Sequence, residues 1–303
     1  MRVAVTGADG FVGRHLCAYL ASRGDTALAI AGPPGRTGDV AVDILDEAAI
    51  ARVLAPFAPD AIVHLAGVSS VARSHEAPSE TFRVNALGAV NLCAVVRAVA
   101  PKARLLLVGS GEMYGAIAPG ERANESWPLA PTSPYAASKV AAEVAAIQFH
   151  RAYGLHVIAV RPFSHLGRGQ APTFAVPSFA RQLCALKGGG VLSVGNLDPV
   201  RDFSHVEDVV HAYRLLLERG VAGQAYNVCS GVGRTVRSVV EEMIVASGRD
   251  ARIEVDPARV RPVELPYLVG DSSKLRALGW APQRTLRDAL DEALAEAREE
   301  KPS

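Results

Sequence analysis

A tyrosine and a lysine four residues apart stand in the segment Ser133-Pro134-Tyr135-Ala136-Ala137-Ser138-Lys139. On a helix this spacing puts both side chains on one face. A phenol with a pKa near 10 is a poor proton shuttle at neutral pH, but a neighbouring ammonium favours its ionised form and brings it within range. Such a pair suits proton transfer at a carbinol or ketone oxygen while hydride moves at the attached carbon. Upstream, the apolar run LLLVGS ends in Ser110, followed by Gly111 and Glu112. A hydroxyl at the C-terminal end of a parallel strand faces the ligand crevice and can hydrogen-bond a reacting oxygen. Glu112 has three readings: a base acting on a carbon beside a ketone, a hydrogen-bonding partner of a substrate, or a surface carboxylate.

A second constellation lies at the start of the chain. Thr6-Gly7-Ala8-Asp9-Gly10-Phe11-Val12-Gly13 follows the first apolar run, and a helical pattern begins inside it. Glycines spaced in this way leave room for a tight turn and for a pyrophosphate, whose charge is favoured by the exposed N–H groups and dipole of a helix N-terminus. Where an acidic residue would hold a free adenosine 2′-hydroxyl, this chain has Ala31-Gly32-Pro33-Pro34-Gly35-Arg36. The missing carboxylate, with Arg36 and Arg14 at hand, favours NADP(H) and leaves NAD(H) as the alternative. Arg36 as a solvated loop residue is the competing reading.

These groups need a scaffold. The first half alternates short apolar runs (RVAV, TALAIA, AIVHLAG, LLLVGS, HVIAVRP) with helical patterns near 11–22, 46–57, 79–99 and 133–153. Unalternating strands separated by helices predict an α/β fold of the Rossmann type, a doubly wound parallel sheet covered on both faces. Beyond Arg161 the pattern loosens, with GRGQAP and KGGG, short strands near Val191 and Gln224, and helices near 205–218 and 236–247. We expect a dinucleotide-binding domain over 1–165 and a smaller mixed α/β substrate domain over 166–303, with a segment around 195–220 returning to the first. The Ala-, Glu- and Arg-rich tail from Leu286 to Lys301 is expected to be a solvated surface helix.

Composition narrows the class. The 303 residues carry 32 basic and 31 acidic side chains, and this balance speaks against a nucleic-acid backbone as partner. No apolar run in the sequence approaches the length of a membrane span, so no membrane is expected and the cytoplasm is the default location. Cys17, Cys93, Cys184 and Cys229 are scattered without paired spacing, as expected of small apolar core residues, and no metal is implied.

Taken together, GADGFVG, the HLAG of His64 to Gly67, Asn85 in VNALG, Ser110, the Tyr135–Lys139 pair and RPF at Arg161 resemble the extended short-chain dehydrogenases/reductases, over nearly the whole chain. The resemblance implies a Rossmann domain with a smaller domain for nucleoside-diphosphate sugars. It makes Tyr135 the acid/base, Lys139 its tuner and a holder of the nicotinamide ribose, and Ser110 the partner of the sugar O4. It lines the cofactor site with Gly7, Gly10, Phe11, Val12, Gly13, Asp43, Ile44, Leu65, Ala66, Gly67, Asn85 and Arg161. PFSHLGRGQ, PSFARQL, VRDFSHVEDVV, YNVCSG and RPVELPYLVGD resemble the branch acting on GDP-mannose derivatives, especially its 4-keto-6-deoxy reductases, which yield GDP-D-rhamnose. That branch implies Arg201 and Arg261 on the diphosphate, Glu264 on the nucleoside ribose, and His165 and Arg181 near the sugar or diphosphate. It departs at Ser164, where the branch commonly has Asn. GDP-mannose 4,6-dehydratase, with Glu112 aiding elimination, is the rival reading, followed by a 4-epimerase and a non-catalytic dinucleotide sensor. A homodimer through the helices around 79–99 and 133–153 is expected.

Overall fold

The structure is a computed structural model that describes residues 1–35, 39–186, 188–260 and 264–300. Two expected site residues, Arg36 and Arg261, lie outside the described residues.

Along the chain come β1 (Arg2–Thr6), α1 (Phe11–Ser22), β2 (Thr26–Ala31), β3 (Val40–Ala41), α2 (Glu47–Phe57), β4 (Ala61–His64), α3 (Val71–Glu76) and α4 (Pro78–Phe82). A π-helical turn, Arg83–Leu87, leads into α5 (Gly88–Val99), then β5 (Arg104–Val108), a 3₁₀ turn over Gly111–Tyr114, α6 (Pro134–Tyr153) and β6 (Val157–Pro162). The second half contains β7 (Ser164–Leu166), α7 (Ala175–Ala185), β8 (Gly190–Val194), β9 (Val200–His205), α8 (Val206–Arg219), β10 (Ala225–Val228), β11 (Gly233–Thr235), α9 (Val236–Ser247) and β12 (Ala251–Val255). It ends with β13 (Tyr267–Leu268), α10 (Ser273–Arg276) and α11 (Leu286–Glu299).

Seven strands form one parallel sheet in the order β10-β6-β5-β4-β1-β2-β3. Successive side chains go to opposite faces. Val3, Val5, Val63 and Leu106 pack with α1 and α8, while Ala4, Ile62, Leu105 and Leu107 pack with α2, α5 and α6. Both faces are therefore dry, which is why these strands read as continuous apolar runs. Strand order reverses between β1 and β4, and that reversal opens a crevice at the carboxyl ends of the strands. The glycine turn, HLAG and Ser110 all follow those ends.

The return of the chain to the first sheet goes further than the sequence indicates. Helix α8 packs beside α1, and β10, the strand expected near Gln224 in the smaller half, instead closes the large sheet against β6. The small half holds a four-stranded sheet, β11-β9-β13 with β7 on β9, and a parallel pair, β12-β8. Its core joins β8, α7, α9 and α11. Here α11 departs from expectation. Ala289, Leu290, Ala293 and Leu294 are buried against α7 and α9, so a narrow stripe of small and branched residues makes it a core helix despite its charged outer face.

Among the described residues one helical stretch, Pro78–Val99, is long and apolar enough by length and composition to cross a membrane. Its apolar residues have another use: Ala89, Leu92, Cys93, Val95 and Val96 are buried in the core on one face of the parallel sheet.

Leu290→Ala is expected to cost about 2–5 kcal/mol, the range for truncating a buried leucine. Denaturant unfolding measures it, and a loss under about 0.5 kcal/mol, typical of surface positions, would return α11 to the solvated class.

Candidate active site

The glycine turn is shaped by backbone crowding. Gly7 has φ +70°, and a Cβ on Gly13 would lie 2.2 Å from Gly7 O and 2.7 Å from Ala8 Cα. Gly10 is the N-cap of α1 and provides no side-chain acceptor for the first N–H groups of that helix. Arg14, read in the sequence as available to a 2′-phosphate, is held by backbone carbonyls. Its guanidinium donates to Asp9 O and Gly169 O, each at 2.7 Å.

The rim beyond β3 and β4 carries the next group. Asp43 is exposed and accepts from the Leu45 N–H at 3.0 Å, whereas Ile44 is buried. After β4, the Ala66 N–H donates to Thr6 Oγ1, and Thr6 Oγ1 also meets His64 Nδ1 at 2.8 Å. Burial, reinforced by the charge of Lys139, pushes His64 down to about 3, so the ring is neutral at physiological pH. Asn85 is a brace: its Oδ1 accepts from Val68 N–H at 2.7 Å, and its Nδ2 donates to Val68 O and Ser138 Oγ. It thereby fastens the HLAG loop to α6. A Cβ on Gly67 would fall 2.7 Å from Asn85 Oδ1. Asn85 belongs to the π-helical turn, a distortion that often marks functional positions.

Helix α6 begins with Ser133 as N-cap and Pro134 in its first turn, which orients Tyr135 and Lys139 on one face. Tyr135 and Ser110 come near enough across the gap between α6 and the end of β5 for the serine hydroxyl to influence the phenol. The Ser110 hydroxyl also accepts from the Glu112 N–H at 3.2 Å. Burial pushes the Tyr135 phenol up to about 12, the nearby Glu112 carboxylate adds to the rise, and the Ser110 hydroxyl opposes it. The expected lowering by Lys139 is therefore overridden. The Lys139 ammonium donates to Val108 O at 2.9 Å, and its own burial pulls it down to about 8. This site holds a protonated phenol beside a serine hydroxyl at a strand end.

Arg161 requires a second correction. Its Nε and Nη2 donate to the two oxygens of Glu143 at 3.0 and 2.5 Å, and Nη1 reaches the Tyr114 hydroxyl at 2.9 Å and Glu125 O at 3.2 Å. Four of the five guanidinium donors are engaged inside the protein, so Arg161 is first a structural brace. Tyr114 in turn donates to Asn227 Oδ1 at 2.7 Å. Sequence reasoning missed Glu143, Tyr114 and Asn227. Glu143 stands four residues after Lys139, on the face that carries Tyr135 and Lys139, and that spacing was the available signal.

In the second half, Arg201 on β9 and Glu264 come together, with Nη2 3.6 Å from Oε1. The His165 ring stacks on Phe11 of the glycine turn, with centroids 6.0 Å apart and planes 10° apart, and burial lowers its pKa. Arg181 does not join them. It lies on the outer face of α7, opposite buried Val176, Phe179, Ala180 and Leu183, and pairs with Glu300 at 2.6 Å.

A family model described as GDP-mannose 4,6 dehydratase matches residues 4–293. The chain belongs to this family of extended short-chain dehydrogenases/reductases. Among curated relatives, it is 37% identical to the GDP-6-deoxy-D-mannose reductase of Pseudomonas aeruginosa, over 97% of this chain and 96% of that one. It is 30% identical to the GDP-mannose 4,6-dehydratase of Sinorhizobium fredii, over 84% and 79%. Of solved structures, Pseudomonas aeruginosa RMD complexed with NADPH superposes with a TM-score of 0.88 at 34% identity, over 98% and 99% of the two chains. Thermus thermophilus UDP-glucose 4-epimerase in complex with NAD gives 0.89 at 32%, over 98% and 99%.

In this dehydratase-family chain the buried lysine gives a pH signature. Lys139 titrates near 8 in the fold and at the ordinary 10.5 when unfolded, so between those values the unfolded chain binds more protons and stability from this group rises with pH. The stability difference between the parent protein and Lys139→Met should therefore shift in favour of the parent from pH 8 to 10. Denaturant unfolding without added nucleotide reads it, and a flat difference would remove the buried-ammonium assignment.

Proposed function

We propose that the protein reduces the C4 ketone of GDP-4-keto-6-deoxy-D-mannose to give GDP-D-rhamnose, using NADPH in preference to NADH. The observation that carries this reading is the buried Tyr135 phenol, kept protonated and facing Ser110 beyond the end of β5, because ketone reduction needs an acid at the carbonyl oxygen. The glycine turn fits a dinucleotide diphosphate: side chains at Gly7 and Gly13 would collide with neighbouring backbone, so the turn stays tight and bare, and among the described residues no side chain caps the N-terminal N–H groups of α1. Gly7, Gly10, Phe11, Val12 and Gly13 would hold that group, with Asp43, Ile44, Leu65, Ala66 and Gly67 along its length. Arg36 is proposed for the 2′-phosphate on the sequence resemblance alone.

When bound, the dihydronicotinamide supplies a hydride. Tyr135 gives its phenolic proton to the sugar O4, and Ser110 donates a hydrogen bond that polarises the ketone. The Lys139 charge, one helical turn along the same face, stabilises the phenolate left behind. Arg201 turns from Glu264 to the diphosphate, where a guanidinium fork matches phosphate oxygens, and Glu264 takes the nucleoside ribose. Arg261 is proposed beside Arg201 from the resemblance. His165, stacked on Phe11, lies where cofactor and sugar would meet.

The dehydratase reading draws on Glu112, whose carboxylate acts on Tyr135. Similarity supports the reductase: identity is 37% over 97% of this chain to the reductase relative, against 30% over 84% to the Sinorhizobium dehydratase. Exposed Phe82, Leu87 and Val144, on the stretch before α5 and on α6, support a homodimer through those helices.

Incubation with GDP-4-keto-6-deoxy-mannose should consume NADPH stoichiometrically, and GDP-mannose alone should stay unchanged. Conversion of GDP-mannose without net cofactor change would establish the dehydratase instead. Tyr135→Phe is expected to lower turnover about 10²-fold or more while dinucleotide affinity stays nearly constant, and unaltered turnover would sink the acid assignment.

A further inference from the structure

Two distant stretches of chain meet at the start of α1. Arg14, directly after the last glycine of the turn, ties Asp9 O within the turn to Gly169 O in the loop after β7. His15 Nε2 contacts the carbonyl of Arg168 at 2.7 Å. The same loop is held from its other side by the acidic face of α11. The Gly169 N–H donates to Glu296 at 2.8 Å, the Arg168 N–H donates to Glu292 at 3.2 Å, and the Arg168 side chain pairs with Glu299. The peptide between Arg168 and Gly169 therefore receives a hydrogen bond at its oxygen from His15 and gives one at its nitrogen to Glu296, while Arg14 holds the oxygen of the next peptide. Bonds aligned through one peptide unit polarise each other.

Two features mark this as more than incidental contact. A cation near a helix N-terminus is unfavourable for the helix dipole, so Arg14 is a poor choice for α1 considered alone. Gly169 has φ +85°, and a Cβ there would stand 3.0 Å from Arg14 Nη2. The loop thus takes a backbone conformation that other residues rarely adopt, and this lets its carbonyl face Arg14.

We propose that the loop 167–170 and α11 form a latch that fixes the glycine turn, making Arg14 and Glu296 positioning residues for the dinucleotide. This rests on the reading of that turn as the dinucleotide site. Cofactor affinity is then set partly by a helix of the second half.

The test is a double-mutant cycle on dissociation constants for NADPH and NADH, read by nucleotide fluorescence with no sugar present, so it reports whether or not the chain is a reductase. Arg14→Ala and Glu296→Gln should each weaken both nucleotides about three- to tenfold, the range of one net hydrogen bond. The double variant should lose less than the product of the two. Gly169→Ala should act in the same direction through the backbone, and GDP affinity and melting temperature should stay close to the parent values. Unchanged dinucleotide affinity in Glu296→Gln, or fully multiplicative losses, would overturn the latch. So would a loss confined to NADPH in Arg14→Ala, which marks direct contact with the 2′-phosphate. A parent protein that binds neither nucleotide would overturn both the latch and the reading of the turn.

Discussion

The buried pair between Arg161 and Glu143 is the interaction on which the geometry of the site depends. Arg161 comes from β6 and Glu143 from α6, and Nη1 of Arg161 goes to Tyr114 at the end of the turn that begins after Ser110, and to Glu125 O. Tyr114 extends the chain to Asn227 on β10. One guanidinium thus fixes the helix that carries Tyr135 and Lys139 against the strand end that carries Ser110. Removing either charge would leave the other buried without a counter-ion, which typically costs about 3–5 kcal/mol. Such a pair gives less stability than a well-packed apolar replacement would, so its contribution here is register.

Burial also sets protonation at the site. His64 is held neutral, Lys139 is drawn toward neutrality and Tyr135 is kept protonated, and in each case burial is the leading cause. A dry strand end, with apolar side chains beneath it on both faces of the sheet, disfavours each charged form. The phenol is consequently protonated at neutral pH. Lys139 need not lower its pKa in the resting protein, because its charge matters most once the proton has left.

The two halves are joined by more than the covalent chain. Helix α8 and strand β10 come from late in the sequence and complete the layers around the first sheet, while α11 supports the loop that grips the glycine turn. A crevice built this way has walls from both halves. The stacked Phe11 and His165 rings mark where those walls meet.

Local signals made much of this legible in the sequence. Strand, glycine turn and helix in order determined the cradle, because steric room and helix-end polarity are properties of a few consecutive residues. The four-residue spacing of Tyr135 and Lys139, and Ser110 at the end of an apolar run, pointed to the proposed reacting groups for the same reason. What the tertiary structure alone decided is which charged side chains remain available. Arg161 and Arg14 read as ligands in sequence, yet one is paired with Glu143 and the other is tied to Gly169, 155 positions away. Likewise α11 reads as a surface helix until α7 and α9 cover its narrow stripe. A residue's type fixes what it can bind, but whether a neighbour has already claimed it depends on contacts that no local pattern encodes.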